Sequence, residues 1–306
     1  FFPPKTESGL TALDNVIAKL KPLNPLFTDF TWGAGGSTSD LTVELCQKSI
    51  DKFNLNPNMH LTCTNMEMDK IKVALEKCTE TGMTNVLALR GDPPLGQEKW
   101  TATEGGFTCA LDLVRYIRSE YGDKFSVSVA GYPEGHPNSM TQVHGSIDEL
   151  SDNERLRVNT ENTDSGETVV HVCRDADYKT EIDYLKAKID AGADFIVTQM
   201  IFDAEVYGHF VSVCRAAGIT VPILPGLMCV TTYGGFKRMT KFCKSRVPES
   251  IWARFEAVRD DEAAVKQLGI QIGFEICKRL LELGAPGIHF YTLNLGNTTI
   301  GITNKL

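Results

Sequence analysis

Seven short apolar or β-branched runs alternate with longer amphipathic stretches, and several stretches stop at a glycine just before the next run. This pattern predicts an α/β protein of parallel strands joined by crossover helices. With Phe1-Phe2 as the surviving end of a further strand, eight strand–helix units point to a (β/α)8 TIM barrel whose first strand is truncated at the N-terminus. A doubly wound open sheet is the structural alternative at this stage.

The predicted strands are Leu26–Phe30, Met59–Cys63, Asn85–Leu89, Phe125–Ala130, Asp194–Met200, Val221–Leu224 and Gly287–Leu293. Each is short, rich in residues that suit a pleated surface, and bounded by turn formers. Between Phe1-Phe2 and the first run, Thr11–Leu20 places apolar residues at 13, 16, 17 and 20, one face of a helix. Further helices are predicted over Leu41–Phe53, Lys70–Lys77, Cys109–Glu120, Glu181–Ala191, Glu205–Ala217 and Phe236–Cys243. Thr81-Gly82-Met83, Ala191-Gly192-Ala193, Ala217-Gly218-Ile219 and Leu283-Gly284-Ala285 supply the left-handed caps that let the chain reverse.

Two segments break the rhythm. Residues 137–178 are polar and read as an insertion or mobile loop, with Thr168–Cys173 able to form a local strand. Residues 247–283 hold extra helices, a short one near Pro248–Val258 and a long one over Asp261–Leu283. The cluster Asp260-Asp261-Glu262 favours the start of the long one through the helix dipole. The sequence is expected to form a single catalytic barrel over residues 1–306.

The 306 residues carry 31 Lys and Arg against 39 Asp and Glu, a net charge of −8. That balance argues against nucleic acid or an anionic membrane as partner, and no apolar run nears the ~20 residues of a membrane span. Nine scattered cysteines, none spaced C-x-x-C, argue against a disulfide framework or a zinc site and for a reducing, cytoplasmic compartment. No metal site is expected: no H-E-x-x-H occurs, and the histidines do not converge by spacing.

In a barrel the residues at the C-terminal strand ends form the active site. Here they are Thr31-Trp32-Gly33, His60-Leu61-Thr62, Arg90-Gly91-Asp92, Tyr132-Pro133-Glu134, Thr198-Gln199, Pro225-Gly226 and Tyr291-Thr292-Leu293-Asn294. So many polar or aromatic strand ends suit a large polar cofactor. In Arg90-Gly91-Asp92, Gly permits close backbone approach, Arg can pair with phosphate, and Asp can accept from a heterocycle. Read alone, the triplet is equally a strand-end ion pair. Gly33-Ala34-Gly35-Gly36-Ser37 precedes a helix but is not a dinucleotide fingerprint. His60 and His136 can hydrogen-bond a cofactor or be satisfied within the protein. Gln199 can both donate to and accept from a planar ring edge. Lys188, on the helix before that strand, reads by itself as a solvated lysine.

Taken together, these motifs resemble methylenetetrahydrofolate reductase of the eukaryotic type. The resemblance rests on Phe1-Phe2-Pro3-Pro4-Lys5-Thr6, His60-Leu61-Thr62-Cys63, Ala88-Leu89-Arg90-Gly91-Asp92, Ala130-Gly131-Tyr132-Pro133-Glu134-Gly135-His136-Pro137, Ala191-Gly192-Ala193-Asp194 with Thr198-Gln199, and His289-Phe290-Tyr291-Thr292-Leu293-Asn294, in the family's order. It implies a barrel with non-covalent FAD, reduced by NADPH or NADH, which then reduces 5,10-methylenetetrahydrofolate to 5-methyltetrahydrofolate in a ping-pong scheme. It carries the flavin contacts onto Thr31, Trp32, Ala34, His60, Arg90, Gly91, Asp92, Ala110, Tyr132, His136, Glu181 and Lys188. Arg90 and Lys188 fall at the pyrophosphate and ribose end and Thr31 near the nicotinamide. Asp92 is both catalytic, tuning the flavin's charge, and substrate-binding, and Gln199 binds the pterin. Homo-oligomerisation is compatible with the resemblance.

Two departures accompany it. The family's general-acid Glu is expected just before Phe1 and is not in the chain, and Leu295 stands where many relatives carry a folate-binding Arg. The regulatory domain of eukaryotic relatives is also absent from these residues. A non-catalytic flavin- or folate-binding barrel subunit is the alternative function. Another flavin barrel, resembling proline dehydrogenase, is disfavoured by the ordered motifs.

Overall fold

The computed structural model describes residues 1–32, 38–63, 66–91, 105–162 and 168–306. They divide into two compact units, one of residues 1–130, 187–196 and 293–296, the other of residues 131–186, 197–292 and 297–306.

In the first unit, β1 (Thr28–Thr31), β2 (Pro57–Thr62), β3 (Asn85–Leu89) and β4 (Ser126–Gly131) pair in parallel, in chain order. Side chains alternate between faces along each strand. Phe30, Met59 and Leu61 are fully buried on one face. The same face presents Thr28, whose Oγ1 lies 3.3 Å from Ser49 Oγ. Asp29, Thr31, Asn58 and His60 occupy the other face.

Phe1 extends this sheet. Phe1 N donates to the Asp29 carbonyl and the Phe1 carbonyl accepts from Thr31 N at 2.8 Å, the pattern of a parallel bridge. Thr28 N and Trp32 N turn the opposite way, to Asn56 O and His60 O. Phe1 therefore pairs on the edge of β1 away from β2. Phe2 N donates to Asn294 Oδ1 at 2.8 Å, and Asn294 Nδ2 returns a bond to Phe2 O.

Helices α1 (Glu7–Leu20), α2 (Ser39–Phe53), α3 (Met68–Glu80) and α4 (Ala110–Tyr121) follow the predicted alternation. Helix α1 starts four residues earlier than its apolar stripe because Thr6 Oγ1 caps Gly9 N, and it buries Leu13, Ile17 and Leu20. Arg118 of α4 ties this unit together. Its guanidinium donates to the carbonyls of Gly192, Gly122 and Phe125 and pairs with Asp194 at 2.7 Å. Asp194 Oδ2 also accepts from Val127 N. Gly192 sits at φ +111°, and a Cβ there would lie 2.9 Å from Arg118 Cγ, so glycine is required twice over.

The second unit contains α6 (Asp175–Asp190) except its last turn, most of β8 (Phe195–Met200), α7 (Ala204–Ala216), β9 (Ile223–Met228) and β10 (His289–Tyr291). The sheet order runs β1-β2-β3-β4-β8-β9-β10, and β9 and β10 pair in parallel. The fold class is therefore α/β with the strand–helix alternation of a (β/α)8 barrel, as the sequence predicts. Helices α8 (Tyr233–Cys243), α9 (Glu249–Glu256), α10 (Glu262–Glu282) and α11 (Asn297–Thr303) complete it. Helix α10 begins where the acidic cluster predicts, with Asp261 Oδ1 accepting from Ala263 N and Ala264 N.

Two expectations change in this unit. Strand β9 runs on through Pro225-Gly226 to Met228, although Pro normally ends a strand. Gly226 must be glycine there, because a Cβ would meet Tyr291 Cε2 at 2.5 Å and Thr198 O at 2.6 Å. The segment read as an insertion or loop holds an antiparallel sheet of β5 (Met140–Gln142), β6 (Asn159–Asn162) and β7 (Thr168–Cys173), with β7 central, and the short helix α5 (Asp152–Leu156). Its own small core, Leu150, Val158 and Val172, is too sparse to show through so polar a sequence.

The nine cysteines are free. Among the described residues no helix is long and apolar enough to cross a membrane, and no group of three His, Cys, Asp or Glu could hold a metal.

Replacing Arg118 with Met keeps the aliphatic stem and removes every bond of the tie. Hydrogen bonds to a charged group contribute about 1.5–3 kcal/mol, so Arg118→Met should lower Tm by about 5 °C in differential scanning calorimetry. An unchanged Tm would show that the tie adds nothing to stability.

Candidate functional site

The sequence-selected residues fall into two sets, one in each unit. In the first, β1 and β2 are in register with Asp29 opposite Asn58 and Thr31 opposite His60. Asp29 Oδ1 accepts from both Asn58 Nδ2 and His60 Nε2, each at 2.7 Å. One step along the same face of β2 lies Thr62, whose buried Oγ1 has no partner among the described residues, like Asn58 Oδ1. Arg90 and Gly91 follow β3. Gly91 takes φ +93°, and the Arg90 carbonyl accepts from the Cys63 thiol at 3.8 Å.

Lys188 departs most from its solvated reading. It is 4% exposed, and its ammonium donates to the Ala130 carbonyl at the C-terminal end of β4. A buried ammonium is costly unless charge or hydrogen bonds compensate it. Ala110 is the first residue of α4, and it is buried. Asp112 accepts there from Thr108 N and Thr108 Oγ1, which holds its carboxyl below the usual range.

Trp32 belongs elsewhere. Strand alternation turns it to the helix side with Phe30. There it lines a cavity of about 270 Å³ with Ser39, Asp40 and Val43 of α2 and Lys70, Ala74 and Lys77 of α3. Its ring is 2% exposed and its Nε1 has no hydrogen-bond partner. It does not share the face of Asp29, Thr31, Asn58 and His60. Ala34 and Asp92 lie outside the described residues.

The second set is built on the turn after β4. Gly135 N donates to Tyr132 O at 3.0 Å, closing the turn over Pro133-Glu134. The Tyr132 and His136 rings meet edge-on at 4.7 Å. His136 Nδ1 accepts from Asn138 N at 3.1 Å. The ring proton is thereby assigned to Nε2, which makes that nitrogen a donor. Glu181 of α6 accepts from Ser139 Oγ at 2.5 Å. Tyr178 OH donates to Pro133 O, which anchors the turn to α6.

Glu134 was selected only as part of a motif, and the structure gives it a distinct role. It is 3% exposed, and its Oε1 accepts from Arg246 N at 3.2 Å. Burial raises its pKa to about 8, helped by Asp203 and opposed by hydrogen bonds and Arg246. Arg246 itself pairs with Asp203 at 2.9 Å. Gln199 lies on β8 with its side-chain oxygen turned onto Met200 N at 2.9 Å. Beside it Thr198 donates to Gln199 O and accepts from Gly226 N, and Tyr291 OH donates to Thr198 O. Leu295 is 49% exposed.

A flavin dinucleotide asks for a cation at its phosphates, polar groups for its ribityl chain, and donors and acceptors for its ring. The first unit offers a buried ammonium, an unpartnered buried hydroxyl and a histidine braced on one nitrogen, so its residues fit such a group. The signal missed in the sequence is Asp29, a lone carboxylate in an otherwise apolar run.

Glu134 makes stability depend on pH. Between about pH 4.5 unfolded and 8 folded, the folded state binds the extra proton, so stability falls as pH rises through that window. Glu134→Gln should remove this slope. In thermal unfolding from pH 5 to 8, the variant's Tm should gain steadily on the parent's. Parallel curves would contradict the buried, protonated carboxyl.

Comparison with known proteins places these residues in context. The family model described as methylenetetrahydrofolate reductase matches residues 1–306. Methylenetetrahydrofolate reductase (NADH) 1 of Zea mays is 45% identical over 306 residues, covering 100% of this chain and 47% of that protein. Methylenetetrahydrofolate reductase 2 of Saccharomyces cerevisiae is 38% identical over 309 residues, covering 100% and 46%. The chain thus spans about half the length of the curated relatives it matches. Among solved structures, an uncharacterized Clostridium thermocellum protein that binds two copies of 5-methyl-5,6,7,8-tetrahydrofolic acid superposes with a TM-score of 0.54 at 13% identity, covering 100% of this chain and 92% of that one. That likeness supports the α/β fold.

Proposed function

The chain belongs to the methylenetetrahydrofolate reductase family, and from that premise we propose that it is the catalytic part of an FAD-dependent enzyme reducing 5,10-methylenetetrahydrofolate to 5-methyltetrahydrofolate with NAD(P)H. The observation that carries this reading is the family match across residues 1–306. The full-length relatives at 45% and 38% identity support it.

FAD, when bound, supplies the two-electron chemistry between the nicotinamide and the folate in turn. The protein's part is binding, orientation and charge. Lys188 and Arg90 would hold the phosphates, the first from a buried position that also limits water. Gly91, at positive φ, lets the backbone come close to the ligand. Thr31, Thr62 and His60 offer hydrogen bonds from one strand face, with Ala110 at the start of α4. The family resemblance also assigns Tyr132, His136 and Glu181 to the flavin, and His136 Nε2 would act as a donor. Gln199 is assigned to the pterin, where its amide would exchange the bond to Met200 N for the substrate's ring edge. Asp92 is assigned to the flavin and pterin, and Ala34 and Trp32 complete the family's flavin positions. Trp32 would contribute through its backbone, since its ring faces α2 and α3. A Glu preceding Phe1 is assigned as the acid that protonates the folate nitrogen.

The nicotinamide is open to experiment. A relative at 45% identity is named for NADH, and one from Caenorhabditis elegans at 33% is named for NADPH.

Anaerobic visible spectroscopy tests the reading. A flavin band should bleach on titration with NADH or NADPH and return on addition of methylenetetrahydrofolate. Bleaching without return would mean that FAD is held but the acid is missing. Absence of a flavin band, even with added FAD, would favour a non-catalytic barrel.

A further inference from the structure

Strand alternation places Asp29, Asn58 and His60 on one sheet face, and the register between β1 and β2 brings them together. One oxygen, Asp29 Oδ1, accepts from Asn58 Nδ2 and His60 Nε2, both at 2.7 Å. The His60 and Asp29 side chains are only 12% and 11% exposed. The strand is pinned at this residue, because the Asp29 carbonyl accepts from Phe1 N. An ionised carboxylate can only accept, so the ring proton of a neutral His60 lies on Nε2 and Nδ1 keeps its lone pair. Among the described residues no hydrogen bond engages Nδ1.

We propose that Asp29 is a positioning residue: it fixes the ring of His60 and its Nε2–H tautomer, so that Nδ1 stands as a hydrogen-bond acceptor for an N–H or O–H donor of the flavin. This rests on the FAD reading above. His136 provides the contrast. Its Nδ1 is occupied by Asn138 N, so it can offer only a donor. The two histidines thus differ in hydrogen-bonding polarity because their neighbours differ. Asn58 holds the carboxylate from the other side, which keeps Asp29 from rotating away.

Two measurements on the purified protein test this. The first is the tautomer, read by long-range 15N–1H correlation with 15N-histidine, the His60 signals being assigned by their loss in His60→Gln. The parent should show an Nε2–H ring. Asp29→Ala should shift the ring toward a tautomer mixture, and Asp29→Asn, which keeps an acceptor oxygen, should largely restore it. An Nδ1–H ring in the parent, or a signal indifferent to Asp29→Ala, overturns the proposal.

The second is FAD affinity, by titrating the apoprotein and following flavin fluorescence. Asp29→Ala should weaken binding about tenfold, the scale of one hydrogen bond, and add little in a His60→Ala background. The same loss with and without His60 would mean that Asp29 acts on the fold rather than through the ring. A parent protein that takes up no FAD would overturn the flavin reading instead, and the tautomer alone would then decide whether Asp29 positions His60.

Discussion

The two-residue period of the parallel strands is the constraint on which the rest of the molecule depends. In β1 and β2 it sends Phe30, Met59 and Leu61 to one face, where they are completely buried. It sends Asp29, Thr31, Asn58, His60 and Thr62 to the other. A slip of one residue would exchange the two sets. It would bury a carboxylate among hydrophobic side chains and turn the apolar set onto the polar face. Register is therefore held at more than one point. Phe1 bridges the far edge of β1, and the Arg118–Asp194 tie fixes the start of β4 through Val127.

Charge burial is the second theme, and each unit handles it differently. Lys188 is buried with its ammonium on a backbone carbonyl. Glu134 is buried beneath a turn with a backbone donor from Arg246, and its protonation is displaced toward the neutral form. The first arrangement meets a charge with a hydrogen bond. The second removes one and leaves the turn that carries Tyr132 and His136 tied to pH. Neither is what a core built for stability alone would select.

Much of this was legible from sequence. The strands and helices followed from apolar period and glycine stops, and the acidic cluster Asp260-Asp261-Glu262 pointed to the start of α10 through the helix dipole. The motif residues were found because their order is specific, even where each one alone is weak. The failures are equally physical. Pro225-Gly226 reads as a strand end, but β9 continues through it because Tyr291 needs the space a side chain would fill. Strands β5 and β6 hide in a polar segment whose cluster has few buried apolar residues, while Thr168–Cys173 was legible as a local strand. Lys188 reads as solvated because helical spacing does not reveal which neighbour covers it. The pairing of Asp29 with His60 joins residues 31 positions apart, a contact that only register can disclose.

The claim that these strand ends hold FAD is tested most directly by the chromophore itself. The purified protein can be denatured by heat, and the released small molecules identified by chromatography and mass and counted per chain. One FAD per chain is the expected result, with release lowered in a Lys188→Met variant that remains folded. FMN in its place, or no flavin after incubation with FAD, would contradict it.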